Sequence, residues 1–169
     1  MAAAAVAATP RAVLLDTALG QIKLMLRWDA APTTAKHFCT LVGDRLYDNC
    51  CFYRSDFVIQ GGLQRLDGTA GPPNPYPDLS VNETKAPGTV QVSNDRGTVA
   101  FGHWDVPDNG NSEFFINLQS NPHLDDAYGG YCVFAQVDPW DEASNRTVDS
   151  IAASIKASQK VLIKSATLH

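Results

Sequence analysis

Residues Gln21-Ile22-Lys23-Leu24-Met25-Leu26-Arg27 alternate with a period of two, with Met25 the one apolar residue at a polar position. That period predicts a strand with Ile22, Leu24 and Leu26 on one face. Short apolar runs recur around Val13-Leu14-Leu15, Val99-Ala100-Phe101, Phe114-Phe115-Ile116, Val133-Phe134-Ala135 and Val161-Leu162-Ile163, set between loops rich in Gly, Pro, Asn and Asp. Such spacing is the pattern of a barrel or sandwich of short strands. Two stretches follow a helical period instead. Asp29-Ala30-Ala31-Pro32 reads as a helix entry, with proline tolerated in the first turn, and Ala35, Phe38, Cys39 and Val42 follow on one face. A second helix is predicted to include Thr147 to Ile155, with Val148, Ile151, Ala152 and Ile155 aligned. Between the strands, Leu63 to Gly88 carries five prolines and no period. A loop of that length is tolerable in a compact fold only if it packs or works.

One apolar run breaks the pattern. Phe52-Tyr53-Arg54-Ser55-Asp56-Phe57-Val58-Ile59-Gln60-Gly61-Gly62 holds a guanidinium and an amide inside a β-favouring segment. Burying even the amide without a partner costs roughly 2 kcal/mol or more. Either Arg54 pairs with a carboxylate and Gln60 ties down backbone, or both face a pocket whose other walls are apolar. The segment alone leaves both readings open.

A second segment bears on that choice. Arg96-Gly97-Thr98-Val99-Ala100-Phe101-Gly102 is followed, after a polar loop, by Asn111-Ser112-Glu113-Phe114-Phe115-Ile116-Asn117. Together the two segments resemble the signature blocks of the cyclophilins, F-H-R…F-M-x-Q-G-G and G-x-L-x-M-A…S-Q-F-F-I. The similarity extends to the opening strands, to an A-P-x-T-x-x-x-F helix at Ala31 to Phe38, to Leu124-Asp125 and to Tyr131 through Val137. The resemblance implies a mainly β fold, a closed eight-stranded antiparallel β-barrel capped by two α-helices, and peptidyl-prolyl cis-trans isomerase activity assisting protein folding. It also implies that Arg54 is the catalytic donor, with Gln60 binding substrate backbone and orienting the arginine. Phe57, Val58, Phe115 and Leu124 match the family's proline pocket. Gly102 falls on the groove floor, where alanine is usual. No metal, nucleophile or organic cofactor is needed, because the reaction makes and breaks no covalent bond.

Several positions depart from the family pattern. The linker Ser55-Asp56 is two residues shorter than usual, and Asp56 brings a carboxylate near the guanidinium. Val58 replaces a methionine, giving a shallower and stiffer wall. Glu113 stands where glutamine is typical, a change expected to alter preference for the residue before proline. His123 takes the place of a tryptophan that binds cyclosporin, so affinity for that drug is expected to be weak or absent. Tyr131 resembles bacterial-type members and is expected to tune substrate binding. These departures keep a second reading open: a cyclophilin-fold module that binds proline-containing segments with little or no turnover.

Composition narrows the partners. The 169 residues carry a net charge of −5 and no run of Lys/Arg longer than a pair. Nucleic acid and anionic membrane both need clustered positive charge, so neither is expected. No apolar run reaches membrane-spanning length. The first ten residues are Ala-rich without a basic start, and a flexible tail at 1–10 before one domain at 11–169 is the expectation. Cys39, Cys50, Cys51 and Cys132 show no C-x-x-C spacing and are expected as free thiols in a reducing, cytoplasmic setting. His37, His103, His123 and His169 lack metal-ligand spacing, and no phosphate loop or G-x-S-x-G elbow is present. Proline-containing peptides and proteins are the expected partners, and a monomer the expected state.

Overall fold

The structure, a computed structural model, describes residues 7–104 and 109–169. Eight strands form a closed barrel: β1 (Ala12–Thr17), β2 (Gly20–Leu26), β3 (Cys50–Ser55), β4 (Val58–Gly62), β5 (Thr98–Phe101), β6 (Phe114–Asn117), β7 (Val133–Val137) and β8 (Val161–Leu168). Their order around the barrel is β1-β2-β7-β5-β6-β4-β3-β8, and every pairing is antiparallel. The predicted alternation holds in β2, where Ile22, Leu24 and Leu26 are buried. Inward side chains from all eight strands join one core with Phe38, Leu41 and Val42 of α1 (Pro32–Gly43) and Val148, Ile151 and Ala152 of α2 (Glu142–Lys156). Phe38 lies at its centre, in ring contact with Tyr47, Phe101, Phe114 and Phe134. Such pairs add about 0.5–1.5 kcal/mol each beyond area burial.

Both helices need their first-turn N–H groups satisfied. Asp141 caps α2, accepting from the Ser144 amide at 3.2 Å. The helix therefore starts five residues before Thr147, in a polar first turn that carries no apolar period. Ala31 gives α1 no side-chain cap. Glu83, from the long proline-rich loop, accepts from the amides of Thr33 and Thr34 at 2.9 and 2.8 Å. That loop packs: the Leu79 amide donates to Gly110 O, and Asn74 donates to Asn111. Of the expected 1–10 tail, residues 1–6 lie outside the described residues, and Pro10 O accepts from the Trp28 indole at 2.7 Å. The four cysteines are free thiols. Burial pushes Cys39, Cys50 and Cys132 up to about 11, far from the reactive thiolate.

Candidate functional site

The β3–β4 hairpin fixes where the awkward arginine points. Along β3, Phe52 pairs with Gly61 and Arg54 with Gln60, so two steps on one strand match one on the other. Tyr53 is the extra residue of a β-bulge. Phe52 faces the core. Regular alternation would turn Arg54 inward as well, but the bulge resets it and sends Tyr53 and Arg54 to the outer face. Ser55, the next residue, then turns inward opposite Ile59, and its hydroxyl is buried without a partner among the described residues.

The outer faces of the neighbouring strands supply an apolar bed. Val58, Ala100, Phe115 and Leu124 form a buried cluster separate from the barrel core, with Phe57 and Tyr131 packed against it. Each strand thus serves two sites: Ile59, Val99, Phe114 and Ile116 fill the barrel, and the residues between them line the outside. Above the bed lies a groove of about 350 Å³, lined by Arg54, Phe57, Val58, Gln60, Gly102, His103, Trp104, Glu113, Phe115, Leu124 and Tyr131. A second cavity of about 310 Å³ lies beyond Tyr131, against residues 83–85 and 90–93. It contains neither Arg54 nor Gln60.

Within the groove the guanidinium is held on two sides. Arg54 Nε donates to Asp56 Oδ2 at 2.8 Å, and Nη2 lies 2.7 Å from the same oxygen. Nη1 donates to Gln60 Oε1 at 2.9 Å. The Phe57 ring lies 5.7 Å from the guanidinium carbon, within cation–π range. Both side chains of the ion pair are exposed, Arg54 by 46% and Asp56 by 41%. The remaining N–H groups of Nη1 and Nη2 have no acceptor among the described residues and are free for a ligand. The far end of Gln60 is also tied: Nε2 donates to the Tyr53 hydroxyl at 2.9 Å, and that hydroxyl donates to Glu113 Oε1 at 3.0 Å. Burial, reinforced by the Glu113 charge, pushes the Tyr53 phenol well above its usual range.

Buried amides lock the other wall. Asn121 donates to Phe57 O at 3.2 Å and to Asn117 Oδ1 at 2.8 Å; Asn117 in turn donates to Asn94 Oδ1 at 3.1 Å. Asp125 accepts from the Asn94 amide and side chain, both at 2.8 Å, and from Ser93. Partial burial works against the Asp125 charge, but the bonds from Ser93 and Asn94 outweigh it and hold this carboxyl below its usual range. This network presents Leu124 and Tyr131, which are joined directly by Tyr131 N donating to Leu124 O at 2.8 Å.

The sequence profile described as "Cyclophilin type peptidyl-prolyl cis-trans isomerase/CLD" matches residues 12–168. The chain belongs to this family. Similar curated cyclophilins include peptidyl-prolyl cis-trans isomerase-like 1 of Rhizopus delemar, 35% identical over 127 residues, covering 74% of this chain and 72% of that protein. Peptidyl-prolyl cis-trans isomerase B of Escherichia coli is 32% identical over 136 residues, covering 74% and 76%. Among solved structures, a Cryptosporidium parvum cyclophilin determined in the presence of the dipeptide Ala-Pro superposes with a TM-score of 0.69. It is 22% identical, with 94% of this chain and 98% of that one covered.

In this cyclophilin nine of the ten expected site residues line one groove, and His123 does not. His123 is exposed and packs edge-on against Phe57, with ring centroids 5.5 Å apart. Glu113 reaches the groove, but its carboxylate is turned along β4, where Oε2 also accepts from the Leu63 amide at 3.0 Å. Trp104, 80% exposed, and His103, stacked on Tyr131 at 4.0 Å, form the remaining wall. Tyr53 carries no chemical motif of its own in the sequence. The only signal was its substitution for histidine in the first signature block. Among the described residues no cluster of three metal-ligating side chains occurs, and no helix is long and apolar enough to cross a membrane.

Proposed function

We propose that this cyclophilin accelerates rotation about X-Pro bonds of protein substrates in the 350 Å³ groove, with Arg54 as the catalytic donor. Amide resonance imposes a barrier of about 18–20 kcal/mol on that rotation. In the twisted state conjugation is lost, and the prolyl nitrogen regains a lone pair that can accept a hydrogen bond. A donor aimed at it stabilises the twisted state over the planar one, and about 4 kcal/mol of such preference gives a thousandfold acceleration. The observation that carries this reading is a clamped guanidinium, with N–H groups to spare, beside an apolar bed. Phe57, Val58, Phe115 and Leu124 seat the proline ring, and Gly102 and Tyr131 shape the floor and wall. Gln60 holds both Arg54 and substrate backbone. Glu113 acts through Tyr53, and His123 backs Phe57 at the rim. The chemistry calls for no cofactor.

The same reading covers the setting. Residues 11–169 act as one domain and as a monomer on proline-containing peptides and proteins. The net charge of −5 argues against nucleic acid. Four free thiols, three of them buried, suit a reducing cytoplasm. Cyclosporin binding is weak or absent, since a small exposed histidine stands at position 123. The alternative, a proline-peptide binder with little turnover, draws on the Arg54–Asp56 ion pair, which competes for the donor. An isomerisation assay on a short X-Pro peptide separates the two. The native protein accelerates exchange, and Arg54→Ala loses about 100-fold or more in kcat/KM. Binding without acceleration would establish the alternative, and an equally active variant would mean that Arg54 is not the donor.

A further inference from the structure

We propose that Tyr53 and Glu113 are positioning residues for the reaction, fixing the Gln60 amide so that its oxygen holds Arg54. This rests on the role given to Arg54 above. The argument is one of hydrogen-bond polarity. An ionised carboxylate only accepts, so the single proton of the Tyr53 hydroxyl goes to Glu113 Oε1, 3.0 Å away. The phenolic oxygen can then only accept from Gln60, whose Nε2 lies 2.9 Å from it. That choice turns Gln60 Oε1 toward Arg54 Nη1, also at 2.9 Å. Each bond in the chain has one permitted direction, set by the charged groups at its two ends. Successive bonds in such a chain also polarise one another.

The anchor of the chain is built into the barrel wall. Glu113 Oε2 accepts from the Leu63 amide at 3.0 Å and lies 3.3 Å from the Ser112 hydroxyl. It rests where a side chain on Gly62 would stand: a Cβ there would come within 1.6 Å of Oε2. The β-bulge is what places Tyr53 and Arg54 together on the outer face, one at each end of Gln60. The two residues depart together from the family's signature blocks, which have histidine and glutamine at these places. Both Glu113 oxygens are engaged within the protein, which ties its charge to this chain of bonds.

The test measures kcat, KM and peptide affinity for Tyr53→Phe, Glu113→Gln and the double variant, with Arg54→Ala alongside. Tyr53→Phe keeps the ring and removes only the hydroxyl; kcat falls about tenfold while peptide affinity changes less than twofold. Glu113→Gln, a near-isosteric change in a half-exposed residue, also lowers kcat, because a glutamine can donate to Tyr53 and remove the enforced direction. The double variant is no slower than Tyr53→Phe, as expected for two residues acting through one chain. A Tyr53→Phe enzyme within twofold of the native kcat, or additive losses in the double variant, would overturn the proposal. A loss confined to thermal stability or to peptide affinity would do the same. Full activity in Arg54→Ala overturns the reading beneath it as well, so the two failures are told apart.

Discussion

Asp56 touches the proposed donor directly, and removing its charge gives a prediction whose sign follows from the structure. Its Oδ2 takes Arg54 Nε at 2.8 Å and Nη2 at 2.7 Å, while Oδ1 accepts from the Val58 amide at 3.1 Å. Asp56→Asn can keep the bond to Val58, and with it the turn, while cancelling the carboxylate charge. Both partners are more than a third exposed, so the ion pair has the strength of a surface pair, about 0.2–1 kcal/mol. If that energy opposes delivery of the guanidinium to a prolyl nitrogen, its release raises kcat/KM by about 1.4- to 5-fold, at about 1.4 kcal/mol per decade. Gln60 still holds Nη1, so the side chain is not set loose. A protease-coupled isomerisation assay on a short X-Pro-Phe anilide reads the ratio of variant to native kcat/KM. Added salt should narrow that ratio, because the contact is open to solvent. A fall of more than twofold in the Asn variant would refute the reasoning, since it would mean that the carboxylate aims Arg54 instead of competing for it.

Two further outcomes follow from the groove's construction. Gly102→Ala is expected to raise the melting temperature by about 1–4 °C with peptide binding intact, from a gain of about 0.4–1 kcal/mol through the unfolded chain. The added Cβ meets Glu113 O at 3.6 Å and Gln60 Nε2 at 3.7 Å, both ordinary contacts, so a lowered melting temperature or lost binding would contradict the described floor. Asp125 sets a pH dependence. Its carboxyl is held below the usual 3.8, so its contribution is complete above about pH 3.8 and disappears as the pH falls through the folded-state value. Urea titrations should show native stability declining in that acid range. Asp125→Asn should be weaker at neutral pH by about 1–2 kcal/mol, given its partial exposure, and less sensitive to acid; parallel pH profiles would refute this.

Local pattern carried most of the fold. Ile22, Leu24 and Leu26 announce β2, and the apolar runs of β4, β5 and β6 announce the wall that bears the groove. β8 was legible only in its first three residues, because Lys164, Ser165 and Thr167 interrupt the apolar run while the strand continues to Leu168, pairing with β3 and then β1. The groove's apolar residues and Arg54 were legible through the resemblance to the family's two signature blocks, since each apolar residue alone reads equally as core. The parts that escaped depend on contacts between distant residues. Glu83 capping α1 joins positions 49 and 50 residues apart, and Tyr53 meets Glu113 across 60. No short window contains either pair. Asp56 lies beside Arg54 in the chain, and its contact with the guanidinium was anticipated for that reason.

The bulge at Tyr53 has a consequence for how the hairpin tip can change. Which side of the wall Arg54 occupies is decided before the chain reaches the tip, by the extra residue between Phe52 and Arg54. The number of residues beyond it affects the outline of the rim but not the phase of the strand that carries the guanidinium. A tip two residues shorter than the family's usual form therefore leaves Arg54 on the solvent side. Losing the extra residue between Phe52 and Arg54 would restore regular alternation and turn a charge toward the barrel.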